Sequence, residues 1–146
     1  MRDFTTGFMT TALAYDEILV AVHIRPWRPG HGYSFQEYAR RHGDFAVAGA
    51  AVLLDANHDG VIERASVALC GVADRPIRRD EAETALVGQV LDESIIARVA
   101  GLAGDVEATG DIHGDATYRR HLARVLTARA LREASSRITT RKRETA

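Results

Sequence analysis

The feature that most constrains the fold is a change of hydrophobic period near Pro76. Before it, apolar residues cluster in short runs or alternate, as strands do. After it they recur at three- and four-residue spacing, as helices do. Residues 17–25 alternate weakly around Ile18, Val20, Val22 and Ile24, which predicts a half-buried strand. Pro26, Pro29, Gly30 and Gly32 then break the chain around Trp27. Tyr33, Phe35 and Tyr38 mark a second extended piece, with a short helix over residues 36–41 as the competing reading. Residues 45–55 and 61–72 read as two longer strands separated by Ala56-Asn57-His58-Asp59-Gly60. Asp-Gly between hydrophobic runs predicts a hairpin, because both residues tolerate the positive φ of a tight turn.

Beyond Pro76 the pattern is helical. Residues 79–87 form a short helix stopped by Gly88. Asp92 is placed to cap a second helix with an apolar stripe at Ile95, Ile96, Val99, Leu102 and Ala103. A third runs from about Asp115 to Ser135, turning Tyr118, Leu122, Val125 and Leu126 inward. Arg119, Arg120, Arg124, Arg129 and Arg132 crowd the rest of its surface. Residues 136–146 read as a frayed basic tail. Strands first and helices afterwards predict an α+β fold, an antiparallel sheet of three to four strands covered on one face by three helices. The 146 residues, 46% hydrophobic and 27% charged, suit one globular domain and exclude a disordered chain, a collagen or a coiled-coil rod.

Function is harder to find in the residues alone. A net charge of −1 without a basic face argues against a nucleic-acid partner. No apolar run approaches the ~20 residues of a membrane helix. No secretory leader is evident, and Cys70 is a lone cysteine, which together predict a reducing, cytoplasmic setting. Eighteen of the nineteen basic residues are Arg, a bias that suits bidentate pairing and that genomic composition also explains. Asp55-Ala56-Asn57-His58-Asp59-Gly60 matches the first half of a calcium-binding EF-hand loop, but Ser66 stands where the bidentate Glu belongs. The hairpin is therefore preferred. The six histidines lack metal-ligand spacing, so no metal ligand is assigned. No nucleophile elbow or Gly-rich phosphate loop occurs, and no catalytic residue is assigned.

Several segments together resemble one family. Asp3-Phe4-Thr5-Thr6-Gly7-Phe8-Met9-Thr10-Thr11-Ala12-Leu13, Asp16-Glu17-Ile18-Leu19 and Tyr33-Ser34-Phe35 open the match. Arg40-Arg41-His42-Gly43-Asp44-Phe45-Ala46, Gly71-Val72-Ala73-Asp74-Arg75-Pro76 and Gly110-Asp111-Ile112-His113-Gly114 with Tyr118-Arg119-Arg120-His121-Leu122 complete it. In this order they resemble the C-terminal part of the medium, FAD-binding subunit of molybdenum hydroxylases, the carbon monoxide dehydrogenase and xanthine dehydrogenase family. Tyr15 departs from the family's usual Pro.

The resemblance implies a subunit that passes electrons from iron–sulfur clusters to an acceptor through FAD. Its partners would be a molybdopterin-binding large subunit and an iron–sulfur small subunit. Most FAD contacts in the family come from two N-terminal subdomains with no counterpart in this sequence. Residues 1–16 then read as a remnant of the second of these, and 17–135 as the C-terminal domain. Residues 2–13 would be a loose apolar segment without its packing partner, either disordered or folded onto another surface. Tyr33, with Phe35 second, is the implied flavin contact, and the chain alone is expected to bind no FAD. Arg40, Arg41, Asp44, Asp74 and Arg75 are expected to form a charge-paired network. A stand-alone interaction module with the same fold is the alternative.

Overall fold

The computed structural model describes residues 3–139. A small antiparallel hairpin, β1 (Thr5–Gly7) with β2 (Thr10–Thr11), comes first. The main sheet is antiparallel in the order β3 (Gly32–Tyr38), β4 (Ala48–Ala56), β5 (Ile62–Cys70), β6 (Ile77–Arg78). Helices α1 (Asp80–Leu86), α2 (Glu93–Gly104) and α3 (Ala116–Ser136) follow. The α+β architecture, with one covered sheet face, is the one the change of period predicts.

The alternation of β4 and β5 builds the core. Ala48, Ala50, Val52 and Leu54 point under the helices, as do Ala65, Val67 and Leu69. The turn between these strands is the Asp-Gly hairpin. Asn57 Oδ1 accepts the Asp59 and Val61 N–H groups at 3.0 Å each, and Gly60 takes φ +79°. Asp55 turns to the Arg28 guanidinium at 3.1 Å. The EF-hand-like residues thus spend their oxygens on their own chain.

Helix α3 lies across β3 and β4. Its buried row is Arg119, Leu122, Ala123, Leu126, Thr127, Ala130, Leu131 and Ala134. Leu122 and Leu126 face inward as expected, whereas Val125 is half-buried and Tyr118 is 40% exposed, edge-on to Tyr38. The row is shifted because alanines carry it: small side chains let the helix approach the sheet closely. At Gly32 that approach leaves no room for a side chain, since a Cβ would collide with the Ala134 carbonyl. Glu133 completes the seam by accepting from Ser34 Oγ at 2.6 Å and Gln36 Nε2 at 2.5 Å. Helix α2 starts where Asp92 Oδ1 caps the Ile95 N–H, and it lies against α1 and α3. Ile96, Val99 and Ala103 are buried, with Ile95 and Leu102 half-buried.

Two segments differ from expectation, and the N-terminal one takes a defined form. Residues 17–25 form no strand; Ile18, Val20 and Ile24 are 81%, 89% and 84% exposed. Alternation supplies a strand's side-chain pattern but not its partner, and the segment stays unpaired although β3 ends the sheet. Residues 5–11 form the β1–β2 hairpin, tied to the domain by Arg75 Nη1 donating to the Thr6 carbonyl at 2.9 Å, with Phe8 and Met9 exposed at its tip. Residues 137–139 are fastened, the Thr139 N–H donating to the Gly30 carbonyl at 2.9 Å and Ile138 packing on the core. The remainder of the expected tail lies outside the described residues.

Ile96 is 4% exposed, so an aspartate there would place an unpaired charge in the core. Ile96→Asp is expected to cost at least ~3 kcal/mol in urea unfolding. A loss below about 1 kcal/mol would contradict this packing.

Candidate functional site

Tyr33 and Phe35 stand on the sheet face away from the helices. Residues two apart on a strand share a face, and the register sets Tyr33 opposite Leu53 and Phe35 opposite Ala51. Both rings are accessible, at 54% and 57% exposure. The Phe35 ring approaches Gly49, whose missing side chain also admits Cys70 Sγ. Burial pushes the Cys70 thiol above its ordinary range. Tyr33 is flanked: the Arg137 guanidinium lies 4.7 Å from its ring centre, and His31 lies between Tyr33 and Trp27 at about 6 Å from each. Arg64 covers Trp27 at 3.9 Å. Phe35 is thus the more open of the two rings.

A second accessible surface is the loop between β3 and β4. Residues 40–45 are all exposed, Gly43 turns at φ +90°, and Phe45 is fully exposed. Arg40 donates to His113 Nδ1 at 3.2 Å. The expected charge network is not formed: among the described residues, Arg40, Arg41, Asp44, Asp74 and Arg75 make no ion pair with one another. Fully hydrated charges on a projecting loop gain little from pairing.

The pairing occurs instead at Arg119, a residue expected on the helix surface and found buried. Its Nη1 donates to the Val47 carbonyl at 2.8 Å and to the Gly71 carbonyl. Its Nη2 meets Asp111 Oδ1 at 2.5 Å, and its Nε reaches toward the Gly114 carbonyl. One guanidinium so joins the end of the β3–β4 loop, the turn after β5 and the 111–114 turn. The Arg119 guanidinium, then the His113 N–H, hold the Asp111 carboxyl below its usual range. Its spacing from Leu122 and Ala123 was the available signal; arginine's usual place on the surface hid it.

These surfaces fit only part of an FAD molecule. Flat side chains are available for its ring system. Its diphosphate finds no cradle among the described residues, because the helix N-termini that bind anions carry carboxylates here. Asp92 closes α2, Asp115 closes α3 through the Tyr118 N–H at 2.7 Å, and α1 opens with Asp80 and Glu81. The cavity beside Gly60 and Val90, about 190 Å³, is smaller than the ~300–1,000 Å³ of ordinary ligand sites. Among the described residues, no group of three or more His, Cys, Asp or Glu is placed to hold a metal ion, and no helix is long and apolar enough to cross a membrane.

The family model of the CO dehydrogenase flavoprotein C-terminal domain matches residues 33–134. The carbon monoxide dehydrogenase medium chain of Afipia carboxidovorans is 36% identical over 137 residues, covering 93% of this chain and 47% of that protein. The caffeine dehydrogenase subunit beta of a Pseudomonas species is 36% identical over 138 residues, covering 94% and 46%. Among solved structures, the cyanide-inactivated Cu,Mo-CO dehydrogenase superposes with a TM-score of 0.87 at 36% identity, covering 93% of this chain and 48% of that one. Quinoline 2-oxidoreductase from Pseudomonas putida gives 0.83 at 38% identity, covering 92% and 47%. The chain spans about half the length of the curated relatives it matches.

Two substitutions test the Arg119 clamp. Arg119→Met would leave carbonyls and Asp111 without their donor and is expected to cost about 2–4 kcal/mol in urea unfolding at pH 7. Asp111→Asn is expected to be less stable than wild type at pH 7. Because the folded carboxyl is shifted down, that gap should persist above ~4 and close as pH falls through the folded value. An unchanged gap at pH 2, or a silent Arg119→Met, would contradict the clamp.

Proposed function

This chain belongs to the CO dehydrogenase flavoprotein C-terminal domain family, and from that premise we propose that it is the C-terminal domain of the FAD-binding subunit of a molybdenum hydroxylase. The observation that carries the reading is agreement of sequence and fold over more than nine-tenths of the chain with about half of each relative. Its role is to complete the flavin-binding subunit and not to catalyse alone. A molybdopterin-binding large subunit and an iron–sulfur small subunit are its partners in the working complex, which we place in the cytoplasm. Residues 1–16 belong in this reading to the end of the FAD-binding part.

The chain's own contribution to flavin is a wall for the ring. Tyr33 and Phe35 supply it from the open sheet face, and their exposure supports that assignment. Full exposure of Phe45 on the β3–β4 loop favours a second reading, in which that loop carries the contact. The diphosphate is left to the FAD-binding part, consistent with the carboxylates that close the helix N-termini here.

Co-expression with the FAD-binding part of the Afipia carboxidovorans medium chain, the portion outside the matched 137 residues, tests the proposal. The 146-residue chain alone should purify colourless, and the pair should carry one FAD. Tyr33→Ala and Phe35→Ala should then shift the flavin absorbance more than Tyr38→Ala. A shift with Phe45→Ala alone would move the contact to the loop. Full flavin occupancy in the isolated chain, or none in the pair, would overturn the reading in favour of a stand-alone interaction module.

A further inference from the structure

Strand β3 ends the main sheet, so half of its backbone groups have no strand to meet. The Tyr38 carbonyl turns inward and accepts the Val47 N–H at 2.8 Å. Backbone direction alternates along an antiparallel strand. Gly32, Ser34, Gln36 and Tyr38 therefore address β4, while Tyr33, Phe35 and Glu37 address the outside. Among the described residues, nothing takes the outward groups of Phe35 and Glu37. Beside them stand the exposed rings of Tyr33 and Phe35. An edge of this kind is a template for another strand.

One outward group is occupied. Arg137, at the end of α3, donates from Nη1 to the Tyr33 carbonyl at 2.8 Å and from Nη2 to Glu133 Oε1 at 2.5 Å. Its guanidinium lies 4.7 Å from the Tyr33 ring centre. Glu133 sits on the helix side of β3, where it also accepts from Ser34 and Gln36. The Ser34 hydroxyl first, then the Gln36 amide, hold its carboxyl below the usual range, so the anchor stays charged. The Tyr33 ring stands on the opposite face of the sheet. Arg137 thus passes from one face toward the other across the strand edge.

The occupant this edge fits is a second β3. Two such strands, antiparallel and centred on Phe35, would exchange bonds there and set Tyr33 of each opposite Glu37 of the other. The Tyr33 carbonyl would then have to accept the other copy's Glu37 N–H. That carbonyl is the one Arg137 holds, in both copies. We propose that Arg137 guards the β3 edge and keeps it from pairing with the same edge of a second copy. The device is independent of the flavin reading, since it needs only β3 and the end of α3.

Sedimentation velocity of the full chain reads the outcome. Wild type should be monomeric. Arg137→Ala should associate at least about tenfold more tightly, the difference that one charge-assisted hydrogen bond makes. In the associated form, amide exchange at Phe35 and Glu37 should slow about tenfold or more while β4 keeps its wild-type protection. Glu37→Pro removes an outward N–H, alters no apolar surface and leaves the bonds to β4 intact. Added to Arg137→Ala, it should restore the monomer. Arg137→Lys retains a cationic donor and should associate less than Arg137→Ala. An Arg137→Ala chain that stays monomeric overturns the inference, as does equal association of the alanine and lysine variants. Association that Glu37→Pro does not reverse, or that leaves Phe35 and Glu37 exchanging at the monomer's rate, places the contact elsewhere and overturns it too. A wild-type chain already paired through β3 would show that Arg137 blocks nothing.

Discussion

The close seat of α3 on the sheet is the constraint on which the rest depends. At one end Ala134 sits so near Gly32 that no other residue fits beneath it. At the other, Arg119 reaches through to the Val47 and Gly71 carbonyls and to Asp111. Between them, alanines hold the separation small. The helix therefore fixes β3 and β4 at one end and three loop ends at the other. Buried guanidinium donors matter here because carbonyls left bare away from water would cost more than the ion pair gains.

That seat also decides what remains open. With all three helices on one side, the second face carries Tyr33 and Phe35 toward solvent, beside a loop that exposes Phe45. Residues 17–25 are exposed as well and belong to no strand. The core thus leaves an aromatic face, an aromatic loop and the apolar residues of the 17–25 segment uncovered. The relatives are about twice as long as this chain, and under the proposed function the FAD-binding part of the subunit is what this surface would join.

The sequence made the core legible where burial alone dictates pattern. The Asp59-Gly60 hairpin, the Asp92 cap, the helix start near Asp115 and the stripe through Ile96 and Val99 all rest on local rules, and all are present. The failures share a cause. Residues 17–25 carry a strand's alternation, but pairing depends on a neighbour that the pattern does not encode. Arg119 follows the buried period of α3, yet its chemistry argued for the surface. Conversely, Arg40, Arg41 and Asp44 invited pairing by proximity in sequence, and an exposed loop gave them water instead. The candidate flavin contacts were legible as exposed aromatics on one face only once β3 had been fixed in register with β4.

Native mass spectrometry of the full chain mixed with the FAD-binding part of a medium chain tests the central claim most directly. The account predicts one assembly holding a single copy of each part and one FAD, with neither part alone retaining flavin at that stoichiometry. A persistent monomer or homodimer of this chain, with flavin absent or bound without it, would contradict the claim.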